Sequence, residues 1–315
     1  MNTQPQLTGA LSGLKILQPA DLPQFKAALS AGQQQGFGYY FPYLLSYQRA
    51  DRSAILYEYT AGSICVYRWR NKAQTQRLDL QLAPAPMQAD AVQHCLQRAN
   101  DFNTDYSAKI LKIDAKDAPS IQRMDGLKLR PRKSQYLYAP SHFSDISSRP
   151  FRTLRRNIAR ARQHPLEIRP YQHTDLAGCQ ALLDKWQRYH RAHFDSRGGV
   201  ATSRRILHQT SNFNAPDLIG EVIEIEGRIV AFSFGGEIRP GAAAFLEAKS
   251  DFEITGLSYL QRYSFMSKLT AYDTINDGPD VGRSGLARLK NSLRPCAWHE
   301  EFQARQTRAT SRGTG

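Results

Sequence analysis

The segment from Asn276 to Pro295 carries the side chains whose types and spacing are best suited to chemistry. An acid and glycines come first, and the cations that follow them are Arg283, Arg288 and Lys290. A short apolar strand pattern at 272–275 leads into these residues, and a helical pattern follows them. Reactive groups are usually placed on loops that a rigid scaffold positions. We therefore predict that charged groups converge on a ligand at this strand-to-helix corner.

The chain carries an excess of positive charge. Its 315 residues include 42 Lys and Arg against 28 Asp and Glu, which gives a formal net charge of +14. This charge favours an anionic partner, which could be nucleic acid, a membrane surface or a phosphorylated small molecule. The alternative is a basic protein with no such partner, and the clustering of the cations disfavours it.

Cysteine usage and the amino terminus limit the class of protein. The cysteines are Cys65, Cys95, Cys179 and Cys296, and no C-x-x-C pair exists, so we predict no metal and no dithiol redox site. The first residues lack the regions of a signal peptide, and no apolar run reaches the length of about 18 residues that spans a bilayer. We expect a cytoplasmic protein, and leave open both contact with the inner membrane face and the oligomeric state.

Both halves of the chain show the order β-β-β-α-β-α. In the first half these patterns lie at 54–59, 63–69, 77–82, 89–102, 108–113 and 118–124. In the second half they lie at 219–225, 229–234, 242–249, 256–271, 272–275 and 285–293. A meander followed by helix, strand and helix is the order of the GNAT acyltransferase fold. The repeated order indicates two such modules in tandem.

The predicted architecture is therefore α+β, with two tandem GNAT-like lobes that each have a mixed central sheet flanked by helices. The first lobe is predicted at 1–148, and the second, which carries most of the candidate residues, at 166–305. A basic linker helix at 149–165 joins them, and a flexible tail follows at 306–315.

The linker region is the densest basic stretch of the sequence. Arg152, Arg156 and Arg160 are four residues apart, which places them on one face of the predicted helix. The guanidinium fork binds phosphate in a bidentate manner, so we predict that these residues and Arg155 contact phosphate or nucleic acid. The alternative is a linker helix whose cations only face water.

A CoA-dependent enzyme of this fold would hold pyrophosphate in the loop before the helix at 256–271. Backbone N–H groups at the helix N-terminus bind the phosphates in such a loop. Gly256 suits this role, but Glu253 places an acid where a cation or an amide is expected. The sequence therefore disfavours CoA as the donor without excluding it.

Several motifs along the chain resemble one family, the C-terminal synthase domain of the phosphatidylglycerol lysyltransferases. The matching residues are Phe41-Pro42-Tyr43-Leu44-Leu45, Tyr136-Leu137-Tyr138, Arg155-Arg156-Asn157-Ile158, the run 226–233, Lys249, Gly256-Leu257 and the segment 276–295. The resemblance implies tandem GNAT-like lobes that move an aminoacyl group from aminoacyl-tRNA to an acceptor, with no metal and no CoA. The sequence departs from the family pattern at Gly278, where an acid is usual, and at Ala287, where an Arg is usual.

With this resemblance, the residues of the carboxyl-terminal segment receive hypothetical catalytic roles. Asp280 would accept the proton of the attacking hydroxyl or amine as a general base. Arg283 and Arg288 would hold phosphate, or the carbonyl oxygen as charge builds on it. Lys290 would bind an anionic group of the acceptor or the tRNA 3′ end. The alternatives are that Asp280 is a helix N-terminal acid paired with Arg283, and that Lys290 is an exposed surface cation.

Further residues are predicted to bind substrate beside them. Glu247 and Lys249 alternate with Ala248 and so point to one face of their strand, where they could border the same cleft or form only a surface ion pair. Asn276 and Ser292 complete the predicted substrate-binding set.

Three functions remain open from the sequence. The leading one is aminoacyl transfer from aminoacyl-tRNA to a hydroxyl or amine of a lipid headgroup or a soluble molecule. The second is N-acyl transfer from acyl-CoA. The third is a non-catalytic binding protein that keeps the fold and the basic surface, which Gly278 and Ala287 favour.

Overall fold

The computed structural model describes residues 5–50, 52–73, 75–193 and 199–307. It divides the chain into two compact units, one formed by Met1–Ser134 with Glu300–Gly315 and the other by Gln135–His299. Each unit contains a mixed seven-stranded sheet with helices packed against it. The predicted α+β architecture of two lobes is confirmed.

The strands of the described residues are numbered in chain order. They are β1 (Lys15–Ile16), β2 (Ser53–Thr60), β3 (Ser63–Lys72), β4 (Thr75–Leu80), β5 (Lys109–Asp114), β6 (Leu127–Pro131), β7 (Gln135–Tyr138), β8 (Glu167–Pro170), β9 (Ile219–Ile225), β10 (Arg228–Arg239), β11 (Ala242–Ser250), β12 (Thr274–Asn276), β13 (Ala297–His299) and β14 (Glu301–Gln306).

The α-helices are numbered in the same way. They are α1 (Leu22–Gly32), α2 (Phe41–Leu45), α3 (Ala89–Asn103), α4 (Ala118–Gln122), α5 (Arg152–Ala161), α6 (Leu176–His193), α7 (Val200–Gln209), α8 (Leu257–Ser267) and α9 (Ser284–Ser292).

The first unit has the strand order β1-β2-β3-β4-β5-β14-β6. Its β2–β3 hairpin turns through Ala61 and Gly62, both at positive φ, as the glycine in the sequence suggests. α3 packs on β4 and β3, and its apolar face, which includes Val92 and Cys95, enters the buried core of this unit. The core of this unit is therefore built from period-two strands, from α3, and from Ala118 and Ile121 of α4.

The second unit has the order β13-β7-β12-β11-β10-β9-β8. A β9–β10 hairpin turns through Glu226 and Gly227, and α8 crosses from β11 to the parallel strand β12. These two strands pair only from Ala242 with Thr274 to Ala244 with Asn276. Because β11 continues to Ser250 while β12 ends, the residues that follow Asn276 leave the sheet at the carboxyl end of a parallel pair, where open α/β sheets usually bind ligands.

One strand of each sheet comes from the other half of the chain. β7 lies between β12 and β13 in the second sheet, and β14 lies between β5 and β6 in the first. The two sheets thus have the same strand arrangement. In each sheet the parallel pair, β4–β5 or β11–β12, is followed by a strand that is distant in sequence, β14 or β7. The compact units therefore begin and end at Gln135 and His299, and these positions differ from the predicted boundaries at 148 and 305.

The predicted linker helix is part of the second unit. α5 packs against α8, and its stripe of Leu154, Ile158 and Ala161 lies in the core of that unit. Burial of this stripe explains why the helix does not stand between lobes as a separate element. Of the predicted flexible tail, Gln306 ends β14, and 308–315 lies outside the described residues.

Candidate active site

The loop that follows β12 is shaped by the side chain of Asn276. Its Nδ2 donates to Gln135 Oε1 at 2.7 Å, and its Oδ1 accepts the backbone N–H of Gly278 at 2.9 Å. Gly278 has a φ of 64°, a left-handed conformation that glycine adopts at little cost. Asn276 is buried, and its amide fixes the loop. The prediction that this side chain binds substrate does not match its buried position.

Directly after it, Asp277 forms the centre of a buried ionic network. Its carboxylate lies 3.3 Å from Arg262 Nε and 3.2 Å from Lys290 Nζ. Lys290 also donates to the backbone carbonyls of Asp277 and Gly278. All three residues have side chains that are nearly inaccessible to solvent. The network ties α8, the loop and α9 to one another.

The pKa of Lys290 is lowered to about 8, mainly by burial; the neighbouring Arg262 acts in the same direction, and Asp277 opposes the shift. The ammonium has three donors, and the contacts with Asp277 and Gly278 occupy them. Neither prediction for Lys290 matches this geometry. The side chain is not exposed, as a surface cation would be, and it has no donor left to bind an anionic ligand. Its position instead fixes the loop that carries Asp280.

Asp280 is held with its carboxylate half-buried at the end of this loop. Its Oδ2 accepts a hydrogen bond from the Tyr136 hydroxyl at 3.1 Å, and its Oδ1 accepts the backbone N–H of Gly282 at 2.7 Å. Burial and the contact with Asp280 raise the pKa of Tyr136, so the phenol stays protonated and donates. The carboxylate is therefore oriented by two donors while part of it remains open to solvent, as a general base requires.

The cations of α9 lie on the solvent side of this arrangement. Arg283 is the half-exposed N-cap residue, and Arg288 is exposed; among the described residues Arg288 makes no polar contact. Ser292 differs, because its hydroxyl donates to Leu289 O of its own helix at 2.6 Å. Arg288 is thus available to an anionic substrate, whereas the Ser292 hydroxyl is occupied.

The pair Glu247 and Lys249 lies on β11, beyond the point where this strand separates from β12. The two side chains form an ion pair, and Lys249 Nζ lies 5.1 Å from the Trp186 ring centroid. Lys249 is buried, with 8% of its surface exposed, so the alternative of a surface ion pair is wrong. The contact with Trp186 places Lys249 on the side of the sheet that faces α6, and a substrate-binding role of the pair stays a prediction.

The basic face of α5 is presented to solvent. Arg152, Arg156 and Arg160 are exposed, and none of them has a polar partner within the described part of the chain. Arg155 behaves differently, because its guanidinium donates to the carbonyls of Ile146 and Ser148. Of the four predicted arginines, only Arg152, Arg156 and Arg160 therefore share the exposed face of α5. Arg155 anchors the loop before this helix.

Acids and close packing characterise the loop between β11 and α8. Asp251 accepts hydrogen bonds from Lys185 and Arg228, and Glu253 lies 2.6 Å from Lys185 Nζ. At its end, Gly256 has a φ of +87°, and a Cβ there would lie 2.0 Å from the carbonyl oxygen of Asn157. Both carboxylates of this loop are paired with cations, and Gly256 is packed against α5; the expectation that CoA is disfavoured as the donor stays a prediction.

We expect Gly256→Ala to destabilise the second unit, because the added Cβ meets backbone at a φ that alanine rarely adopts. The expected loss is about 1–3 kcal/mol, measured by urea denaturation. Gly285→Ala is the matched control, since a Cβ at Gly285 in α9 meets nothing within 4 Å. An equal effect of the two substitutions would contradict the close packing of α5 on this loop.

Arg262 and Asp277 belong to the buried network beneath the candidate site, and the sequence prediction did not include them. Asp277 stands directly after an apolar strand, which is a usable signal for a residue at the carboxyl end of a strand. Arg262 lies in the middle of a helix pattern and shows no such signal. In the described parts of the chain, no group of three or more His, Cys, Asp or Glu side chains could hold a metal ion. Among the described helices, none is long and apolar enough to cross a membrane.

A family model described as phosphatidylglycerol lysyltransferase, C-terminal, matches residues 34–250. The matched range includes parts of both compact units and ends before the segment 276–295. No curated protein matches the sequence.

Solved structures with the same fold cover almost the whole chain. A conserved protein of unknown function from Bacteroides thetaiotaomicron has 20% identity and a TM-score of 0.81, over 94% of this chain and 99% of that one. The C-terminal domain of a putative lysylphosphatidylglycerol synthetase from Agrobacterium fabrum has 13% identity and a TM-score of 0.64, over 92% and 93%. L-PGS from Bacillus licheniformis has 14% identity and a TM-score of 0.64, over 92% and 93%. At these identities the similarity shows a common fold.

Proposed function

The chain belongs to the family of phosphatidylglycerol lysyltransferase C-terminal domains, and we propose that it is an acyltransferase that moves an aminoacyl group from aminoacyl-tRNA to a hydroxyl or amine acceptor. The observation that carries the proposal is the Asp280 carboxylate, oriented by Tyr136 and Gly282 at the carboxyl end of a parallel strand pair. The buried network of Arg262, Asp277 and Lys290 holds the loop in place beneath it.

The proposed reaction is a direct acyl transfer. Asp280 accepts the proton of the acceptor hydroxyl or amine as its oxygen or nitrogen attacks the ester carbonyl carbon. Arg283, the half-exposed N-cap residue of α9, would stabilise the negative charge that builds on the carbonyl oxygen. The bond from the carbonyl carbon to the ribose oxygen of tRNA breaks, and that oxygen takes the proton. The products are uncharged tRNA and the aminoacylated acceptor.

The exposed arginines of α5 support a tRNA donor. Successive residues at i and i+4 are about 6 Å apart along a helix, so Arg152, Arg156 and Arg160 form a row of guanidinium groups suited to successive phosphates. None of them is engaged by an acid in the described chain. We propose that this row contacts the tRNA backbone.

Substituting all three residues of the row with glutamine is expected to weaken tRNA binding and flatten its salt dependence. Each lost phosphate contact reduces the slope of log affinity against log salt by about 0.7–0.9, and the slope is measured by filter binding. A matched control replaces three exposed cations of the first unit, Lys15, Arg123 and Lys128. Equal losses in the two triple variants would show that net charge, and not the α5 row, governs binding.

The function is tested by incubating the protein with bulk tRNA charged with radiolabelled amino acids. Label is followed into a lipid extract from phosphatidylglycerol vesicles and into a small-molecule fraction. Protein-dependent transfer into either fraction is the expected result, and the fraction identifies the acceptor class. Unchanged decay of the ester in the presence of protein and both acceptor pools would overturn the proposal.

A further inference from the structure

Trp298 is an exposed aromatic side chain near the candidate site. It lies on β13, the strand at one edge of the second sheet, and 56% of its surface is accessible to solvent. Tryptophan carries a large apolar surface and is highly buried on average, so this exposure needs an explanation. We infer, as an inference that rests on the proposed function, that the Trp298 ring binds the terminal adenine base of the tRNA donor by stacking.

The position of Trp298 is defined by its neighbour Tyr136. The two residues are directly opposite each other in the pairing of β13 with β7, so their side chains lie on the same face of the sheet. Their ring centroids are 6.5 Å apart, and the Tyr136 hydroxyl donates to Asp280 Oδ2 at 3.1 Å. A ligand held on Trp298 is therefore separated from the proposed base by a single tyrosine side chain.

Tyr136 gives Trp298 a fixed support. The tyrosine is buried, its hydroxyl is engaged by Asp280, and Lys290 Nζ lies 5.3 Å from its ring centroid. Because these contacts already fix Tyr136, the surface on which the Trp298 ring rests is preorganised. A preorganised surface lowers the entropic cost of binding a ligand.

The loop that carries Asp280 shows a second exposed apolar residue, Val281. Its φ of 49° lies in the left-handed region, which is unusual for a β-branched side chain, and 63% of the residue is exposed. Backbone strain of this kind is concentrated at functional sites. A strained apolar residue that faces solvent directly after the proposed base indicates that a ligand covers this part of the unit.

The chemistry of the donor identifies the group that should meet Trp298. In aminoacyl-tRNA the ester is formed on the ribose of the terminal adenosine, and the adenine base is bonded to the same ribose. A donor whose ester carbonyl lies at Asp280 therefore places its adenine within the length of one nucleoside from that carboxylate. Stacking of bases on exposed aromatic side chains is a general mode of binding single-stranded ends. Arg288, the exposed cation of α9, is suited to a phosphate of the same strand end.

The inference is tested by filter binding of two uncharged tRNAs, one intact and one whose terminal nucleotide lacks its base. The two forms have the same phosphates, so their difference reports the adenine alone. The full chain is expected to bind the intact form about tenfold more tightly, a factor typical of stacking one base. Trp298→Ala should bind both forms equally. Trp298→Phe should keep most of the preference, whereas Trp298→Leu, which is apolar but has no ring, should lose it.

Tyr106→Ala is the matched control, because Tyr106 is an exposed aromatic residue of the first unit, and this variant should keep the preference. Equal binding of the two forms by the unmodified protein, or an equal loss for both forms in Trp298→Ala, would overturn the inference. A preference retained in Trp298→Leu would also overturn it, since an aliphatic side chain cannot stack. Co-sedimentation with phosphatidylglycerol vesicles that depends on Trp298, found in place of the preference, would identify a membrane contact instead.

The result is separable from the test of the proposed function. Binding is measured with uncharged tRNA, and transfer of the aminoacyl group is assayed with charged tRNA. Transfer that shows no dependence on the terminal base would overturn the role of Trp298 and leave the proposed reaction in place. A preference for the intact tRNA without any transfer would contradict the proposed reaction and leave the adenine site supported.

Discussion

Asp280→Asn is expected to reduce aminoacyl transfer by about 10²- to 10⁴-fold, the usual contribution of a positioned general base. Asparagine has nearly the same shape and can still accept the N–H of Gly282 and contact the Tyr136 hydroxyl, so the loop should keep its conformation. Only the ability to accept a proton is lost. The rate is measured in single-turnover transfer from radiolabelled aminoacyl-tRNA, with tRNA affinity determined in parallel.

Tyr136→Phe separates positioning from proton transfer. The phenol donates to Asp280 without contacting a reacting atom in the proposed reaction, so its removal is expected to slow transfer less than Asp280→Asn does. Unchanged tRNA affinity together with a large loss of rate in Asp280→Asn is the expected pattern. If Asp280→Asn transferred at the normal rate, another group would have to take the proton and the assignment of the base would be wrong.

Lys290→Met is expected to lower the free energy of unfolding of the second unit by about 3–5 kcal/mol, the usual cost of removing one partner from a buried ion pair. The substitution leaves the carboxylate of Asp277 with Arg262 alone, and leaves the carbonyls of Asp277 and Gly278 without their donor. The measurement is urea denaturation followed by tryptophan fluorescence. Arg288→Met is the matched control on the same helix, since this exposed cation should shift stability by no more than about 0.5 kcal/mol.

The pH dependence of the same two proteins gives an independent test. The pKa of Lys290 is about 8 in the folded protein, below the value of about 10.4 in an unfolded chain. Between these values the unfolded state binds more protons, so stability from this group rises with pH across that window. The unmodified protein should therefore gain stability relative to Lys290→Met as pH increases from 8 towards 10. A difference that is constant with pH would contradict a buried, destabilised ammonium.

The buried network also explains why loss of Lys290 should affect activity without a catalytic role for its amine. Lys290 holds the backbone of Asp277 and Gly278, and Asp280 follows them in the same loop. Displacement of this loop would move the carboxylate away from Tyr136. An assay at low temperature, where the variant stays folded, would show whether transfer falls with this displacement.

Local sequence signals determined the elements of the site. The strand, turn and helix predicted around 272–293 correspond to β12, its loop and α9, because apolar period and glycine placement are properties of neighbouring residues. The spacing of Arg152, Arg156 and Arg160 likewise placed them on one exposed face of α5, and its apolar stripe in a core. The family resemblance agrees with the family match over 34–250, a range that includes the α5 motif and ends before the segment 276–295.

Only the tertiary structure decided how these elements are completed and which side chains remain free. The exchange of β7 and β14 between the two sheets joins strands far apart in sequence, and no local period records such pairing. Burial of Lys290 depends on Asp277, Arg262 and Tyr136 packing around it, and Arg155 differs from its neighbours only through the carbonyls it meets. The sequence specifies the chemical type of each side chain, but only the contacts made in the folded protein determine whether that side chain is available to a ligand.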